Sequence, residues 1–283
     1  MFVVGHAGLE AEKILERCDS FWVEGMGRRA VYLKSDDDEV LVLSPNLLTP
    51  YTIEVSRGWS NLLSQLREKT RARPSKSCLT FDTGLSIALK NHKGPLPVGF
   101  GAPLNITNLK LAYNSYAILS TAAEVDSSIM DGIQALHVGD VGETLDLLIK
   151  ILGRGPGFTP SGDDFVCGVV LGFRVLGIPL NVVKLVQHAR ELSRWPSWKM
   201  IEHSCHGCVF VPLISLCRAL SGEGDVVEHL VDTVKVGASS GFAALSGFLE
   251  TLNTFHRSLS NISFRSSSTS AGGDHSTSTT STF

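Results

Sequence analysis

Residues 93–105, KGPLPVGFGAPLN, divide this sequence into two parts of different periodicity. Proline and glycine at this density break helices and strands alike. Before the break lie SFWVEG (20–25), AVYLKS (30–35) and EVLVLSP (39–45). These short β-branched or aromatic runs, separated by turn residues, read as strands. RGWSNLLSQLREK (57–69) interrupts them with a helical stretch that aligns Trp59, Leu62, Leu63 and Leu66, and KSCLTFDTGLSIALK (76–90) returns to strand character. The acidic run SDDDE (35–39) reads as a solvated turn between strands.

After the break the period becomes helical, from LAYNSYAILSTAAEV (111–125) to GFAALSGFLETLNTF (241–255), with no fixed-length repeat. The expected fold is therefore α+β. A strand-rich domain over 1–104 precedes a mainly helical domain over 105–258, followed by a Ser/Thr-rich tail over 259–283 with too little apolar surface to fold.

Composition narrows the function classes. Of the 283 residues, 43% are hydrophobic and 19% charged, which is enough apolar material for a sizeable core. A net charge of −3 disfavours a nucleic-acid partner recruited by bulk electrostatics. MFVVGHAGLE lacks the basic start of a signal peptide, and the most apolar stretch, 165–186, is broken by Arg174, Pro179 and Lys184. Six scattered cysteines suit a reducing compartment. The expectation is a cytoplasmic protein without a membrane partner.

Within the helical half, GRGPGFTPSGDDF (153–165) carries the candidate site. Thr159 before Pro160 suits an N-cap, and Ser161-x-x-Asp164 is an alternative cap, so a helix starts near 160–162. Asp163 and Asp164 then fall in its first turn, where the helix dipole favours negative charge. A stiff, capped entry to a core helix explains these residues without a ligand. It leaves unexplained the row Gly153, Gly155 and Gly157, and two carboxylates at the mouth of a segment whose only charge from Phe165 to Leu176 is Arg174. Gly162, Gly168 and Gly172 would let another backbone approach that helix. In the functional alternative, N–H groups around Gly155 and Gly157 hold an anion, and the carboxylates face substrate N–H groups, a cationic side chain or a divalent cation. A second small-residue run, VGASSGFAALSGF (236–248), is either a tight helix contact or the other wall of the same pocket.

The run GRGPGFTPSGDDFVCG (153–168) resembles the signature of a bacterial family that includes the third subunit of oxamate carbamoyltransferase from anaerobic allantoin degradation. GASSGFAALSG resembles the family's downstream Ser-Ser-Gly segment, with Ala243 and Ala244 where an Asp is common, and Arg154 stands where an apolar residue is usual. The resemblance implies a purine-catabolism transferase subunit that acts with other subunits to convert oxalurate and phosphate into oxamate and carbamoyl phosphate. In that setting Gly155, Gly157, Thr159, Ser161 and Gly162, with Ser239, Ser240 and Gly241, would surround the ligand. Arg154 would pair with its carboxylate. Asp163 and Asp164 would be the catalytic pair, accepting from a carbamoyl NH₂ or holding Mg²⁺ through water. The alternative is a non-catalytic subunit that binds a ligand or stabilises a complex.

EHSCHGC (202–208) gathers His203, Cys205, His206 and Cys208. It lacks the second Cys/His pair of a structural zinc site and reads first as an ordinary helix start. His188 and His229 read as surface helical residues, while His6 or His92 would line a site anywhere.

Overall fold

The computed structural model describes residues 2–90, 94–121, 123 and 125–268, the side chains of Phe2 and of 257–268 excepted. Eight strands occupy the first part: β1 (Phe2–Ala7), β2 (Phe21–Met26), β3 (Val31–Ser35), β4 (Val40–Ser44), β5 (Thr52–Glu54), β6 (Arg71–Pro74), β7 (Cys78–Phe81) and β8 (Ser86–Lys90). They close a barrel in the order β1-β5-β4-β3-β2-β6-β7-β8. Closure comes from a parallel pairing of β1 with β8, in which Val3 faces Ile87 and Gly5 faces Leu89. The closed sheet leaves no edge open to foreign strands.

Alternation fills the interior. In β2 and β3, Phe21, Val23, Val31 and Leu33 are fully buried while Trp22, Tyr32 and Lys34 point outward. β4 is buried along its whole length. The helices α1 (Leu9–Arg17) and α2 (Trp59–Gln65) lie among these strands. Sequence periodicity identified β2, β3, β4, β7, β8 and α2. It passed over β5, which has only three residues, β6, whose RARP is half charged, and α1.

The second part contains α3 (Ile106–Ser120), α4 (Ser127–Leu136), α5 (Val141–Ile149), α6 (Ser161–Leu176), α7 (Val182–Leu192), α8 (Ser197–Cys205), α9 (Val211–Ser221), α10 (Val226–Val234) and α11 (Ser240–Ser268). The fold is therefore α+β, an eight-stranded barrel followed by a helical region. Asn105 opens the helices as a side-chain cap, accepting from Thr107 N at 2.9 Å and Asn108 N at 3.2 Å. Asp126, Asp140, Asn181 and Asp225 cap α4, α5, α7 and α10 in the same way. The backbone of α11 runs to Ser268, past the expected start of the tail at 259, and residues 269–283 lie outside the described residues, as does His92.

α6 is the centre of the helical region, buried from Ser161 to Phe173. α11 runs parallel to it at backbone contact. A Cβ on Gly168 would lie 1.9 Å from the Ala244 carbonyl oxygen, and one on Gly247 would lie 2.1 Å from that of Phe165. Further along, Gly172 makes room for the Thr251 side chain, whose Cβ would lie 2.6 Å from a Cβ there. These glycines serve close approach. Side by side and parallel, α6 and α11 present their N-termini together.

Two expectations need correction. Asp36 and Asp37 are exposed, but Glu39, at the end of the acidic run, is buried against α8 rather than solvated. Its Oε1 accepts from Arg17 at 2.9 Å and Lys199 at 3.0 Å, and its Oε2 lies 3.4 Å from His203 Nε2. EHSCHGC is a helix end, not a helix start: α8 closes at Cys205, and His206 follows as its C-cap. Short-range periodicity missed α8 because Pro196 and the polar residues of SWKMIEHSC blur its apolar stripe.

Candidate functional site

The loop 153–160 leaves the helical turn after α5 and folds back onto the start of α6. Gly153, Gly155 and Gly157 take φ values of 71°, 109° and 99°, the left-handed region where side chains are strained. Gly155 also lies so close to α6 that a Cβ would sit 2.8 Å from Ser161 N. The chain can therefore wrap over the helix it is about to form.

That wrapping determines the cap. Pro160 occupies the N-cap position, with no side-chain cap bond from Thr159 or Ser161. Gly162 N donates to Arg154 O at 2.9 Å, and Asp163 N and Asp164 N both donate to Pro160 O. The loop's own carbonyls take up the donors of the first turn that the sequence offered to an anion. Thr159 instead reaches across to α11, its Oγ1 3.2 Å from Ser240 Oγ. The two small-residue runs thus meet at the paired N-termini.

The two aspartates differ. Asp163 Oδ1 accepts from Gly153 N at 2.7 Å and from Ser193 Oγ at 2.7 Å, which ties the loop to the end of α7. Burial pushes its carboxyl up, against the lowering effect of Gly153, Ser193 and Ser197. Asp164 faces the other way, towards Thr159, Ser240 and the barrel. Burial drives its carboxyl to about 8; the Ser240 hydroxyl opposes this, the Asp163 charge adds to it, and Thr159 opposes it weakly. Asp164 is 2% exposed, and its Oδ2 has no hydrogen-bond partner. Ser161 Oγ, Asp163 Oδ2 and Ser197 Oγ are likewise buried without a partner of hydrogen-bond geometry. The Ser197 hydroxyl still lowers Asp163, as Ser240 and Thr159 lower Asp164, so buried polar groups cluster around the start of α6.

The remaining sequence candidates are distributed around this point. Gly155 and Gly157 are exposed at the rim, with Ser239 exposed and Ser240 half-buried opposite. Gly241 is a packing residue, since a Cβ there would lie 1.8 Å from Thr233 O. Arg154 points away from Asp164 and pairs with Asp131 of α4 at 2.8 Å, both side chains being 45% exposed. None of the four principal cavities is lined by a residue of 153–164. Among the described residues no group of three or more His, Cys, Asp or Glu is placed to hold a metal ion, the 203–208 cluster included. All six cysteines are free thiols, and no helix is long and apolar enough to cross a membrane among the described residues.

Sequence reasoning missed the contribution of the barrel. The ring of Phe158 packs 5.1 Å from that of Tyr32 and rests over Gly25 of β2. Burial, and then the charge of Asp164, push the Tyr32 phenol up to about 12, so it stays protonated. The outward phase of Tyr32 in AVYLKS was the available signal, but an outward aromatic on a strand is common.

Residues 151–252 match the model of the family described as oxamate carbamoyltransferase subunit AllH, a stretch that begins after α5 and ends within α11. No curated protein and no solved structure matches the chain.

Proposed function

We propose, from the match of residues 151–252 to the family described as oxamate carbamoyltransferase subunit AllH, that this chain is a subunit of a carbamoyltransferase acting on a small ureide. The reaction is phosphorolysis of oxalurate. A phosphate oxygen attacks the ureido carbonyl, the C–N bond to the oxamate nitrogen breaks, and that nitrogen leaves with a proton as oxamate while carbamoyl phosphate forms. The enzyme is cytoplasmic and works with other subunits.

The observation that carries this reading is Asp164, inside the matched segment, with a buried, unpartnered carboxyl oxygen beneath two helix N-termini. Its carboxyl, raised to about 8, is largely protonated at neutral pH. It can therefore donate to the ureido carbonyl or supply the proton that the leaving nitrogen needs. Thr159, Ser239 and Ser240 offer hydroxyls, and the positive ends of α6 and α11 favour the phosphate. Asp163 positions the loop, and Arg154 meets the substrate carboxylate only by leaving Asp131.

One observation favours the alternative, a non-catalytic assembly subunit: both aspartates are buried and no principal cavity reaches them. The experiment that separates the two is Asp164→Asn in the assembled complex, assayed for carbamoyl phosphate formation with and without Mg²⁺. Catalysis predicts that turnover falls by about 10²-fold or more while assembly and melting temperature are kept. Unchanged turnover, or lost assembly, assigns the motif to structure.

A further inference from the structure

If Asp164 is the ligand-bearing group, as the proposed function requires, a ligand must reach a carboxyl that is almost wholly covered. The carboxyl is 2% exposed, and the principal cavities lie elsewhere. The segment above it has the construction of a moving part. Three glycines with positive φ alternate through 153–157, and residues 153–158 are exposed.

One side chain fastens that segment to the barrel. Phe158 lies over Gly25, where an added Cβ would come 2.4 Å from the ring, and beside Tyr32 at 5.1 Å between ring centroids. Gly25 does not have the positive φ that would demand glycine. Its missing side chain makes a seat for Phe158, beside the register shift of β2 against β3 between Val23 and Gly25. The ring is nevertheless 45% exposed, so the seat holds it on one face only.

We propose that residues 153–160 form a lid over Asp164, latched to the barrel by Phe158 in the Gly25–Tyr32 seat, and that a ligand reaches the carboxyl after the ring leaves that seat. The hinge at the far end is Gly153, whose N–H is bound to Asp163 Oδ1. Thr159, bonded to Ser240, closes the near end. Opening separates these contacts and leaves the α6–α11 pair in place.

The test uses the full chain and a probe that needs no knowledge of the substrate. A water-soluble carbodiimide with an amine nucleophile modifies accessible protonated carboxyls, and tandem mass spectrometry reads the label on Asp164. Phe158→Ala removes the latch, and Gly25→Ala fills the seat without touching the loop. Both variants are expected to raise the labelling rate of Asp164 by about tenfold, with faster amide exchange over 151–162, as a local opening made easier would do. Unchanged labelling in two folded variants overturns the lid. Calorimetry with phosphate, carbamoyl phosphate and oxalurate runs alongside. If labelling rises in the variants but no ligand binds to the wild type or the variants, the lid stands and the carbamoyl reading falls.

Discussion

Asp163 and Asp164 are neighbours in sequence with opposite obligations, and single substitutions should distinguish them. Asp163 accepts from Gly153 N and Ser193 Oγ, so Asp163→Ala strands the buried Ser193 hydroxyl and the part-buried Gly153 N–H. The expected cost is about 2–4 kcal/mol, measurable as a lower urea midpoint. Asp164 behaves differently because its folded-state carboxyl is raised from 3.8 to about 8. The folded state keeps a proton that the unfolded state releases. Stability therefore falls as pH rises from about 4 to about 8, and this slope should be missing from the pH curve of Asp164→Asn. Urea midpoints across that range read it directly, and equal slopes in the two proteins would mean that the carboxyl is not desolvated. At this scale the sequence was informative about which residues meet. Thr159, Ser240 and the acid pair were readable from two small-residue runs. Their division of labour was not, because neighbouring helix positions point about 100° apart and burial on each side depends on distant elements.

The α6–α11 pair shows why the elements were easier to read than their geometry. An apolar helix punctuated by Gly162, Gly168 and Gly172 announces close packing, and the partner, its parallel direction and the meeting of Gly168 with Ala244 become visible only in three dimensions. Because the obstacle is a backbone carbonyl at 1.9 Å, it cannot rotate away. Gly168→Ala should therefore destabilise the protein by about 3 kcal/mol, at the upper end for overpacking, as judged by chemical denaturation. The glycine loop is the contrasting case. Its composition suggested an anion nest, whereas the structure binds Gly162, Asp163 and Asp164 N–H groups to Arg154 O and Pro160 O. Loop glycines alone do not reveal whether their neighbours' donors face a ligand or the chain itself. The short strands β5 and β6 were missed for a related reason: three or four residues pair because the barrel requires a neighbour there, whatever their own propensity.

Across the whole molecule, the barrel and the helices are joined by a chain of ion pairs from Arg17 through Glu39, Lys199 and Glu202 to Arg190. Burial opposes ionisation of Glu39, but His203 and Lys199 outweigh it and hold the carboxyl at about 2, below the usual 4.5. The stability it contributes is complete above pH 4.5 and is lost as pH falls through about 2. Glu39→Gln leaves Lys199, itself 7% exposed, paired with Glu202. A loss of about 3 kcal/mol at neutral pH, together with a flatter acid limb, should appear in thermal melts. The acidic run that contains Glu39 looked like a solvated turn because Lys199 and His203, which face Glu39 from α8, lie some 160 residues away, beyond any window of local pattern.

The parallel pairing of β1 with β8 also sets an order of events during synthesis. The barrel cannot close until Lys90 has emerged, since the first strand waits for the last. Phe158, which fills the Gly25–Tyr32 seat, follows 68 residues later (158 − 90), which at typical elongation rates is about 3–14 s. Throughout that interval the nascent chain carries a finished barrel with an empty Gly25–Tyr32 seat, and the loop, when it is made, meets a surface that already exists. The part of the chain outside the family match is thus the template on which the matched part completes its site.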